Sequence, residues 1–257
     1  LSEVIFTKGG SEALSFAGGA FYGCDALTKL SLPARIASMD TSKYDVFELG
    51  TNGSTDDGDF KMVNCNVYAW NNSYTSGSKD ISNIAEIEVE EGGAEFSSYK
   101  GVLYNADKSV LVWCPFGKVG EVEVAKEATT FRASAFNNCH YITSVVFEKG
   151  GTADFTMADN AKTGTFGGST AFFGCFNLKT ITFPARLKSL GNYALYNDTG
   201  LQENGPDGLP FYSTGTAITK VLFEDGCKLE SIGNNAFEKL EIDELVLPSG
   251  VKTVGTN

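Results

Sequence analysis

One short apolar pattern recurs so regularly that it dictates how this chain folds. Residues 20–33, AFYGCDALTKLSLP, match residues 171–184, AFFGCFNLKTITFP, almost position for position, and residues 135–147, AFNNCHYITSVVF, keep the same frame. The shared template is Ala-Phe-x-x-Cys-x-x-Leu-x-x-Leu-x-Leu, often followed by proline. Its second half can be traced at Leu1/Val4/Phe6, Leu27/Leu30/Leu32, Ile84/Ile87/Val89 and Val119/Val122/Val124. It continues at Ile142/Val145/Phe147, Leu178/Ile181/Phe183, Ile218/Val221/Phe223 and Ile242/Leu245/Leu247. The last two residues of each set are two apart, so they share one face of a strand.

A second apolar pair follows several of these strands after a turn: Ala128/Phe131, Leu187/Leu190, Leu229/Ile232 and Val251/Val254, the last two pairs just before Gly233 and Gly255. Ala-Phe then recurs and the next unit begins. The shortest strand-to-strand spacings, 119 to 142 and 218 to 242, are about 23–24 residues, inside the window of leucine-rich repeats. One unit cannot bury its apolar positions alone. Stacked units turn them into a continuous core, with the strands paired as a parallel sheet along one side. The expected fold is a mainly β leucine-rich-repeat solenoid, a curved right-handed coil with its parallel sheet on the concave face and few or short helices. It is expected to be a single domain over residues 1–257, with insertions at about 40–83, 99–116 and 192–216.

Cys24, Cys139 and Cys175 each stand three positions before the first apolar residue of a strand. A slot fixed in the repeat frame points the same way in every turn, here inward, where a small, weakly hydrogen-bonding thiol fits. They are read as inert core thiols; Cys65, Cys114 and Cys227 fall outside the slot. Six cysteines are too sparse for a disulfide scaffold at this length, and no C-x-x-C pair occurs.

The unit resembles the BspA-like (treponemal-type) leucine-rich repeat. The segment YKGVLYNADKSVLVWCPFGK at 99–118 is similar to a stretch found between repeats of that family, a hairpin of Val102–Tyr104 and Val110–Trp113 turning at 105–109. The resemblance covers nearly the whole chain apart from residues 40–83. It implies a solenoid exported to the bacterial surface, associated with adhesion to host matrix or to other cells, and it carries no catalytic motif. The long insertions between the strands ending at 32 and 183 and those that follow depart from the family pattern.

Strand positions 2, 3 and 5 face outward. They comprise Ser2, Glu3 and Ile5; Thr28, Lys29 and Ser31; Glu86 and Glu88; Glu121 and Glu123; Thr143, Ser144 and Val146; Lys179, Thr180 and Thr182; Lys220 and Leu222; and Asp243, Glu244 and Val246. The four glutamates Glu86, Glu88, Glu121 and Glu123 stand out. If the third and fourth units stack directly, the two pairs lie about 5 Å apart across the sheet, where like charges repel unless solvated or neutralised. They form a candidate ligand face for calcium or a basic peptide. A second candidate is the insertion at 40–83, where Tyr68, Trp70 and Tyr74 flank Asn71, Asn72 and Ser73 in a manner suited to a sugar or protein surface. The run from Ser54 to Asp59 is rich in carboxylates but lacks the twelve-residue calcium-loop pattern.

Acidic residues outnumber basic ones 32 to 20, for a net charge of −12. That balance argues against nucleic acid and anionic membrane surfaces as partners. No apolar run approaches the length of a membrane span. His140 is the only histidine, and no nucleophile elbow, phosphate loop or dinucleotide fingerprint is present. No enzyme is therefore expected and no cofactor is implied. The expected role is an extracellular or cell-surface binding or adhesion protein whose partner is a protein or glycan on host or neighbouring cells. The alternative is a structural spacer within a larger surface protein.

Overall fold

The computed structural model describes residues 1–16, 26–39, 84–115, 117–132, 135–136, 139, 141–158, 171–172, 175, 177–196 and 218–256. Among them every regular element is a β-strand. The chain divides into two compact units. Unit one is Leu1–Asp107 with Pro115–Gly117, and unit two is Lys108–Cys114 with Lys118–Asn257. The insertion at 40–83, nearly all of that at 192–216, and Cys24, Cys65 and His140 lie outside the described residues.

Unit one contains β1 (Glu3–Ile5), β2 (Leu14–Phe16), β3 (Lys29–Leu32), β4 (Ile36–Met39), β5 (Glu86–Val89), β6 (Phe96–Tyr99) and β7 (Val102–Asn105). Strands β1, β3 and β5 form a parallel sheet in which Val4, Leu30 and Ile87 are in register. Leu30, Leu32 and Ile87 point inward and are buried, while Lys29 and Ser31 alternate outward, as the two-residue period requires. Strands β2 and β4 pair in parallel as the second strands of their repeats. Strands β6 and β7 form an antiparallel hairpin. Its two-residue turn, Lys100-Gly101, has positive φ at both positions (48° and 78°), the geometry that matches the strands' twist.

Unit two contains β8 (Val110–Trp113), β9 (Gly120–Val124), β10 (Thr130–Phe131), β11 (Ile142–Phe147), β12 (Phe155–Met157), β13 (Thr180–Phe183), β14 (Leu187–Leu190), β15 (Lys220–Phe223), β16 (Ser231–Ile232) and β17 (Thr253–Val254). The order β9-β11-β13-β15 makes one parallel sheet and β12-β14-β16-β17 another. Strand β10 pairs in parallel with β8. The second apolar pairs of the sequence template thus become strands of their own. The chain is a β-rich leucine-rich-repeat solenoid by fold class.

The core of unit two is a stack of aromatic rings. Phe131 packs against Phe136 and Phe155 at centroid distances of 5.1 and 5.0 Å, and Phe136 stacks on Phe172 at 4.9 Å. Phe147 meets Phe155 at 4.8 Å, and Phe183 stacks on Phe223 at 5.8 Å. Each fully buried phenylalanine contributes about 1.5–3 kcal/mol of transfer free energy. Cys114, Cys139 and Cys175 are buried thiols. The Sγ of Cys139 donates to the Cys114 carbonyl at 3.3 Å, and that of Cys175 to the Phe136 carbonyl at 3.0 Å. This agrees with inert core thiols, and it adds Cys114 to the inward set.

The turns are held by a device the template did not reveal. A glutamate just beyond a strand accepts from backbone of a neighbouring turn: Glu90 Oε2 from the Ala34 N–H at 3.1 Å, Glu148 Oε2 from Lys126 at 3.2 Å, Glu224 Oε2 from Ala185 at 2.9 Å. The bond from Ala34 holds the Glu90 carboxyl below its ordinary value, against desolvation. Gly151, in the turn after Glu148, has no room for a side chain, since a Cβ there would lie 2.4 Å from both the Lys126 carbonyl and Arg186 Nε. Arg186 is only 5% exposed. Its Nη1 donates to the Ala128 and Ala153 carbonyls, and its guanidinium lies 5.6 Å from the Phe155 ring centroid. Burial pushes its pKa down, opposed by Glu224 and Glu127.

Expected core positions differ in three of the sets. Val119 is 71% exposed. There Gly120, not Val119, aligns with Ile142, and the register slips between Ile142 and Ser144, so the first position of β9 leaves the template while Val122 and Val124 keep it, opposite Val145 and Phe147. Leu1 is 74% exposed, next to β1 at the edge of its sheet. The eighth set, Ile242/Leu245/Leu247, forms no strand, leaving Ile242 and Leu245 half-buried and Leu247 exposed. Among the described residues no further turn stacks on its far side.

Candidate functional site

The inward half of each strand is spent on the core, so recognition chemistry rests with the outward half. In unit one the third strand positions align as Glu3, Lys29 and Glu86, and the fifth as Ile5, Ser31 and Glu88. Lys29 Nζ lies 2.8 Å from Glu88 Oε1 and 3.6 Å from Glu86 Oε2. Its hydrogen bond to Glu88 raises its pKa against desolvation, with Glu88, Glu86 and Glu3 adding Coulombic support. The like charges of Glu86 and Glu88 therefore share one ammonium, supplied by the neighbouring strand.

In unit two the third positions align as Glu121, Ser144, Thr180 and Lys220. Glu123 aligns with Val146, and Thr182 with Leu222. Ser144 Oγ donates to Glu121 Oε2 at 3.2 Å. The row thus runs from acid through hydroxyls to a cation, with Lys179 exposed one position earlier on β13.

The four sequence-derived glutamates all face outward, as expected, but the two pairs belong to different sheets and different units. Strand β5 pairs with β3 and β9 with β11, and β6, β7 and β8 come between them in the chain. Tyr68, Trp70 and Tyr74 lie outside the described residues, as does the 54–59 run. Among the described residues no three His, Cys, Asp or Glu side chains converge as a metal site. No helix long and apolar enough to cross a membrane occurs among the described residues.

One surface escaped the sequence template. An open groove of about 570 Å³ runs over β12, β14, β16 and β17. Thr156, Ser189, Ser231 and Thr253 form an in-register row along it. Beside the row, Asn192 Oδ1 accepts from the Asn234 N–H at 2.7 Å and Asn234 Oδ1 from Thr256 at 2.9 Å. The Cβ of a residue at Gly233 would lie 2.4 Å from the Asn192 nitrogen, so successive turns close to backbone contact there. On the other side Lys188 and Lys252 both pair with Glu230, the latter at 3.2 Å. The available signal was the recurrence of SLGN, SIGN and TVGT at 189–192, 231–234 and 253–256.

The family model of the BspA type leucine rich repeat region matches residues 116–205 and 210–257, in six copies. No curated protein matches the sequence. Among solved structures, the chain is similar to the pneumococcal vaccine antigen PcpA, with 18% identity and a TM-score of 0.41 over 90% of this chain and 51% of that one. It is also similar to a leucine-rich repeat protein of Eubacterium ventriosum, with 15% identity and a TM-score of 0.32 over 95% of this chain and 62% of that one. A leucine-rich repeat protein of Bacteroides ovatus gives 15% identity and 0.39, over 94% and 49%. The chain therefore spans 49–62% of the length of these three structures.

Proposed function

The chain belongs to the BspA-type leucine-rich-repeat family, and we propose that it is a cell-surface or secreted binding protein, not an enzyme, that engages a protein or glycan on host or neighbouring cells through the outward face of its strands. The observation that carries this is the contrast between the two halves of one strand. Inward positions repeat the same apolar chemistry from turn to turn, whereas in-register outward positions change from Glu121 to Ser144, Thr180 and Lys220. Strands about 4.8 Å apart hold such side chains as a rigid, closely spaced array, which suits recognition by many small contacts.

Glu86, Glu88, Glu121 and Glu123 remain the residues assigned to that face, with Tyr68, Trp70 and Tyr74 of the insertion as a second assignment. The test is a glycan and matrix-protein array probed with the purified chain, followed by the Glu86/Glu88/Glu121/Glu123→Ala variant. A ligand whose binding the variant loses supports the role. A ligand bound equally well by the variant removes the glutamate face. No ligand at all favours a spacer role.

A further inference from the structure

The sheet β12-β14-β16-β17 repeats one set of contacts from turn to turn, and at β17 that set stands half made. The carbonyls of Met157, Leu190 and Ile232 accept in succession from the N–H groups of Gly191, Gly233 and Gly255, at 2.9, 2.8 and 2.8 Å. Val254 is next in that series, in register with Ile232. Thr253 and Gly255 turn their N–H groups to β16, so Val254 between them directs its N–H and C=O to the other side. Among the described residues β17 is the last strand on that side. The opposite edge differs, because the Thr156 N–H of β12 is taken by the Thr129 carbonyl at 2.8 Å.

Side chains follow the same progression. Leu190 and Ile232 are 1% and 4% exposed, whereas Val254 in the same slot is 62% exposed. An alternating row of charge runs beside them: Lys188 pairs with Glu230, and Glu230 with Lys252 at 3.2 Å. Glu230 thus has a lysine on each side, while among the described residues Lys252 meets a carboxylate only toward β16. Extending the row calls for an acidic residue, and extending the core slot calls for an aliphatic one. The close approach of successive turns calls for glycine after it, since a Cβ at Gly233 would lie 2.4 Å from the Asn192 nitrogen and one at Gly255 2.5 Å from the Asn234 nitrogen.

We propose that the far edge of β17 is a docking site for an extended, parallel segment of another polypeptide, with an acidic residue opposite Lys252, an aliphatic one over Val254 and glycine next. Strand addition at an open edge takes its affinity from main-chain hydrogen bonds and its selectivity from alternate side chains. Here the N–H of the acidic residue meets the Lys252 carbonyl, as that of Glu230 meets the Lys188 carbonyl at 3.0 Å, and the N–H of the glycine meets the Val254 carbonyl. Charge selects the segment: a basic residue at the first position would face Lys252, and like charges directly opposite destabilise a sheet. This edge is distinct from the outward strand face assigned to ligand binding above, and neither role depends on the other.

The test is a titration of the full chain into the fluorescein-labelled peptide Leu-Glu-Ser-Ile-Gly-Asn, the sequence of residues 229–234, read by fluorescence anisotropy at low ionic strength. Binding is expected, and replacing the peptide's glutamate by lysine should weaken it about threefold to tenfold, the scale of exposed ion pairs. Lys252→Glu should reverse that preference, favouring the lysine peptide. Replacing the peptide's glycine by proline removes the N–H aimed at the Val254 carbonyl and should abolish detectable binding. The peptide series leaves the protein untouched, so it decides the matter even where Lys252→Glu lowers stability by setting a second carboxylate beside Glu230. No binding of the first peptide, equal binding of the glutamate and lysine peptides, or full binding of the proline peptide overturns the edge site. So does a preference that Lys252→Glu leaves unchanged. The chain is also sedimented alone: a dimer that Lys252→Glu dissolves would mean that a second copy fills the edge, and the foreign segment would fall.

Discussion

The outward sheet faces of the two units carry glutamates at the same strand positions but treat them differently. On β5 the pair is bridged by Lys29 from the next strand, so the charge of that face is partly neutralised from within. On β9 the register partner of Glu121 is Ser144, whose Oγ donates to its carboxylate at 3.2 Å. The same repeat frame thus gives its outward glutamates different register partners, an ammonium from β3 beside Glu86 and Glu88 and a hydroxyl from β11 beside Glu121. The frame decides which residues point outward; the identity of the residue one strand over decides what they do there.

The largest effect comes from breaking the frame that displays the unit-two face. Ile181 is fully buried on β13, between β11 and β15. Ile181→Ala is expected to cost about 2–5 kcal/mol in a urea titration. Burial pushes the Cys175 thiol well up, with Cys114 adding to it, so alkylation of this cysteine should await unfolding and shift to lower urea in the variant. A stability matching the parent would mean that the inward register is not what holds this face.

Next come the tight turns, which test whether the two units are equally strict. A Cβ at Gly93 in unit one would meet the Phe96 carbonyl at 2.5 Å, and at Gly151 in unit two the Lys126 carbonyl at 2.4 Å. Each glycine-to-alanine change should cost about 1–3 kcal/mol by overpacking. A loss confined to one unit would break the parallel between them.

The pH dependence is smaller and separates the two uses of charge. Lys29 has a raised folded pKa, so its contribution is complete below the ordinary 10.5 and fades as pH climbs through the folded value. Lys29→Ala should flatten that alkaline loss of stability in unit one. In unit two the matching change is not on the outward face; it is Lys188→Ala, whose ammonium is raised chiefly by its hydrogen bond to Glu230. Glu230 is lowered by Lys188 first and then Lys252, so its contribution is complete above the ordinary 4.5 and fades as pH falls through the folded value. Glu230→Gln should therefore flatten the acid side, read as the thermal midpoint against pH. The smallest effect is expected for Thr180→Val, on the outward row, at under about 0.5 kcal/mol. A larger loss would mean that the row's hydroxyls hold the sheet together.

Much of the fold was legible because its signal is local. Seven of the eight L-x-x-L-x-L sets coincide with observed strands, since apolar residues two apart can only share a buried face. Ile242/Leu245/Leu247 carries the same signal and forms no strand, because pairing depends on neighbours as well as on pattern. Val119 shows the complementary limit: the slip at Ile142/Ser144 puts Gly120 rather than Val119 opposite Ile142, and no composition reveals a register shift. The β6–β7 hairpin and the glutamate staples were missed for a third reason. They sit in the irregular stretches between strands, where the period carries no information.

By itself, then, the sequence determined the repeat, the strand period and which side chains point in or out. Those follow from steric alternation within a few residues of chain. Only the tertiary structure decided which outward charges meet. Lys29 and Glu88 are 59 residues apart and become hydrogen-bonded neighbours solely because β3 and β5 lie side by side. Glu121 and Glu123 have the same local pattern and a different neighbour, and electrostatics at a few ångströms depends on that neighbour rather than on the pattern.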